Sequence, residues 1–203
     1  MEEKVFKLKN GTIIDAVQHT KDVFAENKAK GYVTRVYIGT DSQDRGSKST
    51  YATCICYRSG FYLEGDDTIE TDFVGKGVHY IYTKYKTPRL RDDWSRLYRE
   101  TEDTMEVAAW FQEEFPRVEI TIDLDYNVDP SERSNMLVSA TKGWAESMGM
   151  RANIKMDWQD EDTYYHLQVA TKAADRECRG GGSKAKNRKN HRREKRKDAK
   201  PTK

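Results

Sequence analysis

Four carboxylates define the chemistry available to this chain: Asp41, Glu100, Asp123 and Asp175. Asp41 follows an apolar, β-branched run from Val33 to Ile38 and then Gly39, and small polar residues come directly after it. Aspartate is a poor strand former, so an acid ending a buried strand either starts a turn or serves a function. Glu100 lies in a long amphipathic segment, Asp123 near the end of an apolar strand, and Asp175 in Ala173-Ala174-Asp175-Arg176. Carboxylates brought within a few Å of one another repel and need a cation to hold them. Mg²⁺ or Mn²⁺ takes oxygen ligands and keeps several waters. Two such ions activate a water and stabilise the leaving oxygen in phosphodiester hydrolysis. The expectation is a catalytic, metal-ligating set of Asp41, Glu100, Asp123 and Asp175 with Mg²⁺ or Mn²⁺ as cofactor, Asp41 and Asp123 bridging the metals.

Each acid has a structural competitor. Asp41 suits an Asx-turn. Glu102 and Glu106 lie close to Glu100, and Asp125 shares a strand face with Asp123. Asp175 suits a surface pair with Lys172 or Arg176, although a negative charge near a helix C-terminus is disfavoured. Asp157, Asp160 and Asp162 are further acids that suit the cap of the last helix.

The elements that must position these acids follow from periodicity. Residues 4–14 read as a short strand and a turn, and 12–30 as an amphipathic helix stopped by Gly31. Residues 32–40, 50–57 and 73–87 read as three strands at hairpin spacing, an antiparallel meander with a polar connection at 42–49 and an acidic excursion at 58–72. Trp94, Leu97, Tyr98, Thr101, Met105, Ala108, Phe111 and Phe115 recur at helical steps, so 91–115 is the clearest helix. A strand over 118–124, a helix over 131–148, a strand over 151–158 and a helix over 162–178 complete the order β-β-β-α-β-α-β-α. Crossover helices favour parallel partners, which sets the fourth strand beside the first. The expected fold class is α/β, a mixed five-stranded sheet with helices on its faces, in the order of a ribonuclease H-like fold. Residues 1–31 read as an N-terminal strand and helix extension, 32–179 as the domain, and 180–203 as a glycine hinge and disordered basic tail.

Several stretches resemble the YkuK family of ribonuclease H-like proteins of bacteria. They are Ile38-Gly39-Thr40-Asp41-Ser42-Gln43, Gly75-Lys76-Gly77-Val78, Tyr98-Arg99-Glu100-Thr101 with Glu106-Val107, Ile122-Asp123 and Glu146-Ser147-Met148-Gly149. The resemblance covers about residues 32–178 and implies a ribonuclease H-like fold with a divalent-metal nuclease site. By position Asp41 matches the first-strand acid, Glu100 the helix acid and Asp123 the fourth-strand acid. Asp175 also resembles the final-helix acid of RuvC-like resolvases. The sequence departs from the family pattern in its long 58–72 excursion and in the acidic run Leu124 to Pro130.

The net charge of +2 hides a division. Residues 180–203 hold 11 of the 36 Lys and Arg but two of the 34 Asp and Glu, so this tail carries +9 and the rest of the chain −7. Nucleic acid is the expected partner. Lys84, Lys86, Arg89, Arg91, Arg96 and Arg99, interleaved with Tyr80, Tyr82, Tyr85 and Trp94, would neutralise phosphates and stack on bases. In the tail Arg188, Arg192 and Arg193 would add salt-sensitive affinity. Alternatively the chain is a catalytically inactive nucleic-acid-binding or protein-interaction module on the same fold. No apolar run has the length of a membrane span, the N-terminus lacks the pattern of a signal peptide, and three cysteines without metal-ligand spacing suit a reducing compartment. A cytoplasmic protein is expected.

Overall fold

The computed structural model describes residues 4–62, 73–126, 135–154 and 168–180. Its elements in chain order are β1 (Phe6–Leu8), β2 (Ile13–Ile14), α1 (Ala16–Ala29), β3 (Val33–Arg45), β4 (Lys48–Tyr62), β5 (Phe73–Pro88), α2 (Asp93–Glu114), β6 (Ile120–Leu124), α3 (Asn135–Ser147), β7 (Arg151–Ile154) and α4 (Val169–Cys178). They form one sheet of order β2-β1-β5-β4-β3-β6-β7. The expected meander is present: β3, β4 and β5 are antiparallel neighbours. The expected crossover is present too, since β6 pairs in parallel with β3 and β7 in parallel with β6.

The sheet has seven strands where five were expected. The two extra strands are the hairpin of the N-terminal segment. Lys7 pairs with Tyr82 and Leu8 with Ile81, so β1 extends the sheet beyond β5, and Phe6 is buried in the core.

A second difference concerns the hairpin beside Asp41. The run after Asp41, expected to be a connection, is strand as far as Arg45, and the turn is confined to Gly46 and Ser47. Gly46 has φ of 62°, the left-handed backbone that a two-residue hairpin turn requires. Asp41 therefore lies within a strand, opposite Ala52. Residues 58–62, expected to be irregular, complete β4. The expected helix residues 131–134 and 162–167, strand residues 155–158, Asp157 and the basic tail with Arg188, Arg192 and Arg193 lie outside the described residues.

Strand alternation gives the sheet two apolar faces. On one, Val36, Ile38, Ile55, Ile81, Ile120 and Ile122 pack with Met105, Ala108 and Phe111 of α2, Ala16 of α1 and Leu137 and Ala145 of α3. On the other, Tyr37, Ala52, Cys54, Cys56, Tyr80 and Tyr82 pack with Ala170, Ala173, Ala174 and Cys178 of α4. The small residues of α4 let that helix approach closely. At Gly39 an added Cβ would stand 2.9 Å from the Asp123 carbonyl oxygen and 3.1 Å from Thr171 Cγ2. The three cysteines are buried and free. No helix among the described residues is long and apolar enough to cross a membrane.

Candidate active site

The site is built where β3 outruns its neighbour. β6 pairs with β3 at Val36, Tyr37 and Ile38 and ends at Leu124, whereas β3 continues to Arg45. Past that point side chains from both faces of β3 can meet around its edge. Asp41 belongs to the α4 face and Ser42 to the α2 face, because successive side chains alternate.

On the α2 face, Ser42 Oγ donates a 2.5 Å hydrogen bond to Glu100 Oε1. Arg96 Nη1 lies 3.3 Å from Ser42 Oγ and 3.5 Å from Glu100 Oε1, one helical turn before it. Thr104 Oγ1 donates to Thr40 Oγ1 at 2.8 Å and so fixes α2 against β3 one turn deeper. Glu100, which has the sequence position of a flank residue, is 6% exposed. Burial pushes its carboxyl up to about 8; the charges of Asp41 and Asp125 also raise it, while the Ser42 hydrogen bond and Arg96 oppose the shift.

On the α4 face, Asp41 stands beside Asp175. Burial pushes the Asp41 carboxyl up to about 7, the Ser42 backbone hydrogen bond opposes this, and the neighbouring Asp175 and Asp125 charges add to it. Gln43 Nε2 donates to Asp175 Oδ1 at 3.1 Å, and Arg179 Nε to the same oxygen at 2.6 Å. Cys178 Sγ packs 3.1 Å from the Asp41 carbonyl oxygen.

A ribonuclease H-like family model matches residues 15–176. The chain belongs to the ribonuclease H-like family. No curated protein and no solved structure matches it.

In this ribonuclease H-like chain three of the four expected acids, Asp41, Glu100 and Asp175, gather at one end of β3. Asp123 does not join them. It is 0% exposed, and its two carboxylate oxygens accept from Asn153 Nδ2 at 2.7 Å and from the Ala170 backbone N–H at 2.6 Å. That N–H belongs to the first turn of α4, where a carboxylate is favoured by the helix dipole and by unsatisfied donors. Asp123 thus ties β6, β7 and α4 together. The register gives the reason: Ile38 pairs with Ile122, so Asp123 is level with Gly39. Two residues farther on, just past the end of β6, the charge of Asp125 acts on both Asp41 and Glu100. Asp125 is exposed.

The basic residues are dispersed. Arg96 reaches the site. Lys84 Nζ donates to the Glu177 carbonyl near the end of α4, Arg89 pairs with Asp44 at 2.9 Å, and Arg99 lies on Tyr85 and Asp103. Lys86 and Arg91 are exposed. The aromatics expected between them are largely core: Tyr80 and Tyr82 are buried, and Tyr85 stacks on Tyr51 and donates to Asp103. Trp94 is exposed and stacks on Tyr98.

Among the described residues, no three His, Cys, Asp or Glu side chains stand close enough together to hold a metal ion as they are. The donor chemistry nonetheless suits a hard cation. The gathered ligands are carboxylate oxygens, and burial leaves two of them with a strong preference to be neutralised. Arg96 and Arg179 supply part of that neutralisation.

Proposed function

We propose that this chain is a divalent-metal-dependent nuclease that hydrolyses phosphodiester bonds in RNA, DNA or an RNA/DNA hybrid. The observation carrying this reading is the pair of carboxylates, half-buried Asp41 and buried Glu100, pushed up to about 7 and about 8 at the same end of β3 as Asp125 and Asp175. Strongly perturbed acids converging from separate elements are characteristic of sites that do chemistry. Asp41, Glu100 and Asp125 would hold Mg²⁺ or Mn²⁺. Bound there, the metal would supply charge neutralisation and an activated water.

The chain's own residues divide the remaining work. Ser42 orients Glu100. Gln43 and Arg179 orient Asp175 beside Asp41, where it would help position a water. Arg96, beside Ser42 and Glu100, would offer a cation to a substrate phosphate. Cleavage of labelled single-strand, duplex and hybrid substrates with Mn²⁺ tests the proposal. Wild type should cleave at least one substrate, and Asp41→Asn should be slower by roughly 10²–10⁴-fold. Equal rates, or no cleavage by wild type, would remove the nuclease reading.

A second reading, a nucleic-acid-binding module without turnover, is favoured by one observation: Arg96 and Arg179 already pair with Glu100 and Asp175. Salt-sensitive binding without metal-dependent cleavage would select it.

A further inference from the structure

A second recess lies at the opposite end of β3. Lys28 of α1, Arg35 of β3, Arg117 before β6 and Arg151 of β7 line it, with Tyr32 and Tyr62, around a volume of about 460 Å³. Four cations meet one acid there, Glu119, which Arg151 binds at 2.5 Å. This is the reverse of the charge balance of residues 1–179 as a whole, which carry −7. A recess lined by more cations than acids is suited to an anion.

Two features point to the class of anion. The Arg35 side chain is already placed: its Nε donates to Tyr62 Oη at 3.1 Å, and its guanidinium lies 5.3 Å from the Tyr62 ring centroid and 4.8 Å from that of Phe73. A planar guanidinium held on aromatic rings is the cation type that suits phosphate recognition. The two tyrosines add ring faces beside the cations, and base–aromatic stacking tolerates any base. The volume falls within the range of small-ligand pockets, roughly 300–1,000 Å³, enough for a nucleotide and too small for a duplex.

We propose that this recess binds a nucleotide phosphate, either as a free mononucleotide or as the phosphorylated end of a strand. Arg35 is six residues before Asp41 on the same strand, about 20 Å away at strand rise, so the recess is separate from the acidic site. It goes beyond the nuclease reading and does not depend on it.

The test is calorimetric titration of the full chain in EDTA, which keeps divalent metal from the acidic site, with three probes: AMP, inorganic phosphate, and a short oligonucleotide with or without a 5′-phosphate. AMP should bind saturably, about tenfold or more tighter than phosphate. Lys28→Glu and Arg117→Glu, both at exposed positions, should each weaken AMP by about tenfold, and Asp41→Asn should leave it unchanged. Tighter binding of the 5′-phosphorylated than of the 5′-hydroxyl strand identifies a strand end as the occupant; equal binding of the two strands, with AMP bound, identifies the free nucleotide. No saturable binding of either AMP or the phosphorylated strand overturns the proposal. So does AMP binding that both charge reversals leave intact, or AMP no tighter than phosphate.

Discussion

At the scale of single residues, Asp41 and Glu100 face the same problem in two settings. Each is a carboxyl wholly or partly withdrawn from water with other acids near it, so each binds a proton more tightly folded than unfolded. The sign for stability follows. The folded state holds more protons than the unfolded state between about pH 4, where the unfolded groups titrate, and pH 7–8, where the folded ones do. Stability is therefore greatest on the acid side of that window and falls as pH rises through it. Asp41→Asn and Glu100→Gln should lower Tm less between pH 5 and pH 8 than wild type does, measured by circular dichroism melts without metal. A wild-type melt as flat with pH as those of the variants would contradict the burial argument. Metal should compete with the same protons. Mn²⁺ affinity should rise from pH 6 to pH 8, with proton release seen by calorimetry in buffers of different ionisation enthalpy. Sequence made Asp41 legible because an acid after a β-branched run is out of place. Glu100 was legible as a candidate, but its burial was not, since the Ser42 hydroxyl that receives it comes from a distant strand.

At the scale of elements, the register between β3 and β6 decides which acid does what. Asp123 and Asp125 share a face and differ by two residues, so sequence alone did not separate them. The pairing of Ile38 with Ile122 sets Asp123 against α4, where it accepts from Ala170, and Asp125 follows beyond the end of β6. Asp123→Ala should then act as a stability mutation. It leaves the Ala170 N–H and the Asn153 amide without their acceptor, at about 1–3 kcal/mol for each, and should lower Tm by roughly 4–24 °C. Asp125→Ala should leave Tm within a few degrees and weaken Mn²⁺ binding, and the opposite pattern would return Asp123 to the site. Gly39→Ala should also destabilise, because its Cβ would meet the Asp123 backbone at 2.9 Å. The five core strands and the long helix were readable from periodicity. The hairpin of β1 and β2 joined the sheet unannounced, because two or three residues carry too little pattern to show what they pair with.

At the scale of the whole molecule, an acidic body and a tail of +9 would divide two tasks in the proposed nuclease. The body would hold the metal and the tail would hold the phosphate backbone. Removing residues 181–203 should leave Tm unchanged, reduce nucleic-acid affinity and make the logarithmic dependence of affinity on salt shallower, as expected when phosphate contacts are lost. Unchanged affinity and salt slope would assign binding to the body alone. The contrast between the two charge regions was plain in the sequence. The positive recess at the far end of β3 was not, because its cations come from four separate segments and converge only when the sheet is assembled. The central claim is that the acids at the open end of β3 hold a divalent cation. Anomalous diffraction from crystals soaked in Mn²⁺ tests it most directly. A Mn²⁺ peak bounded by Asp41, Glu100 and Asp125 is expected; no peak there at saturating Mn²⁺, or a peak ligated instead by Asp123, would rule out a metal site built from these three acids.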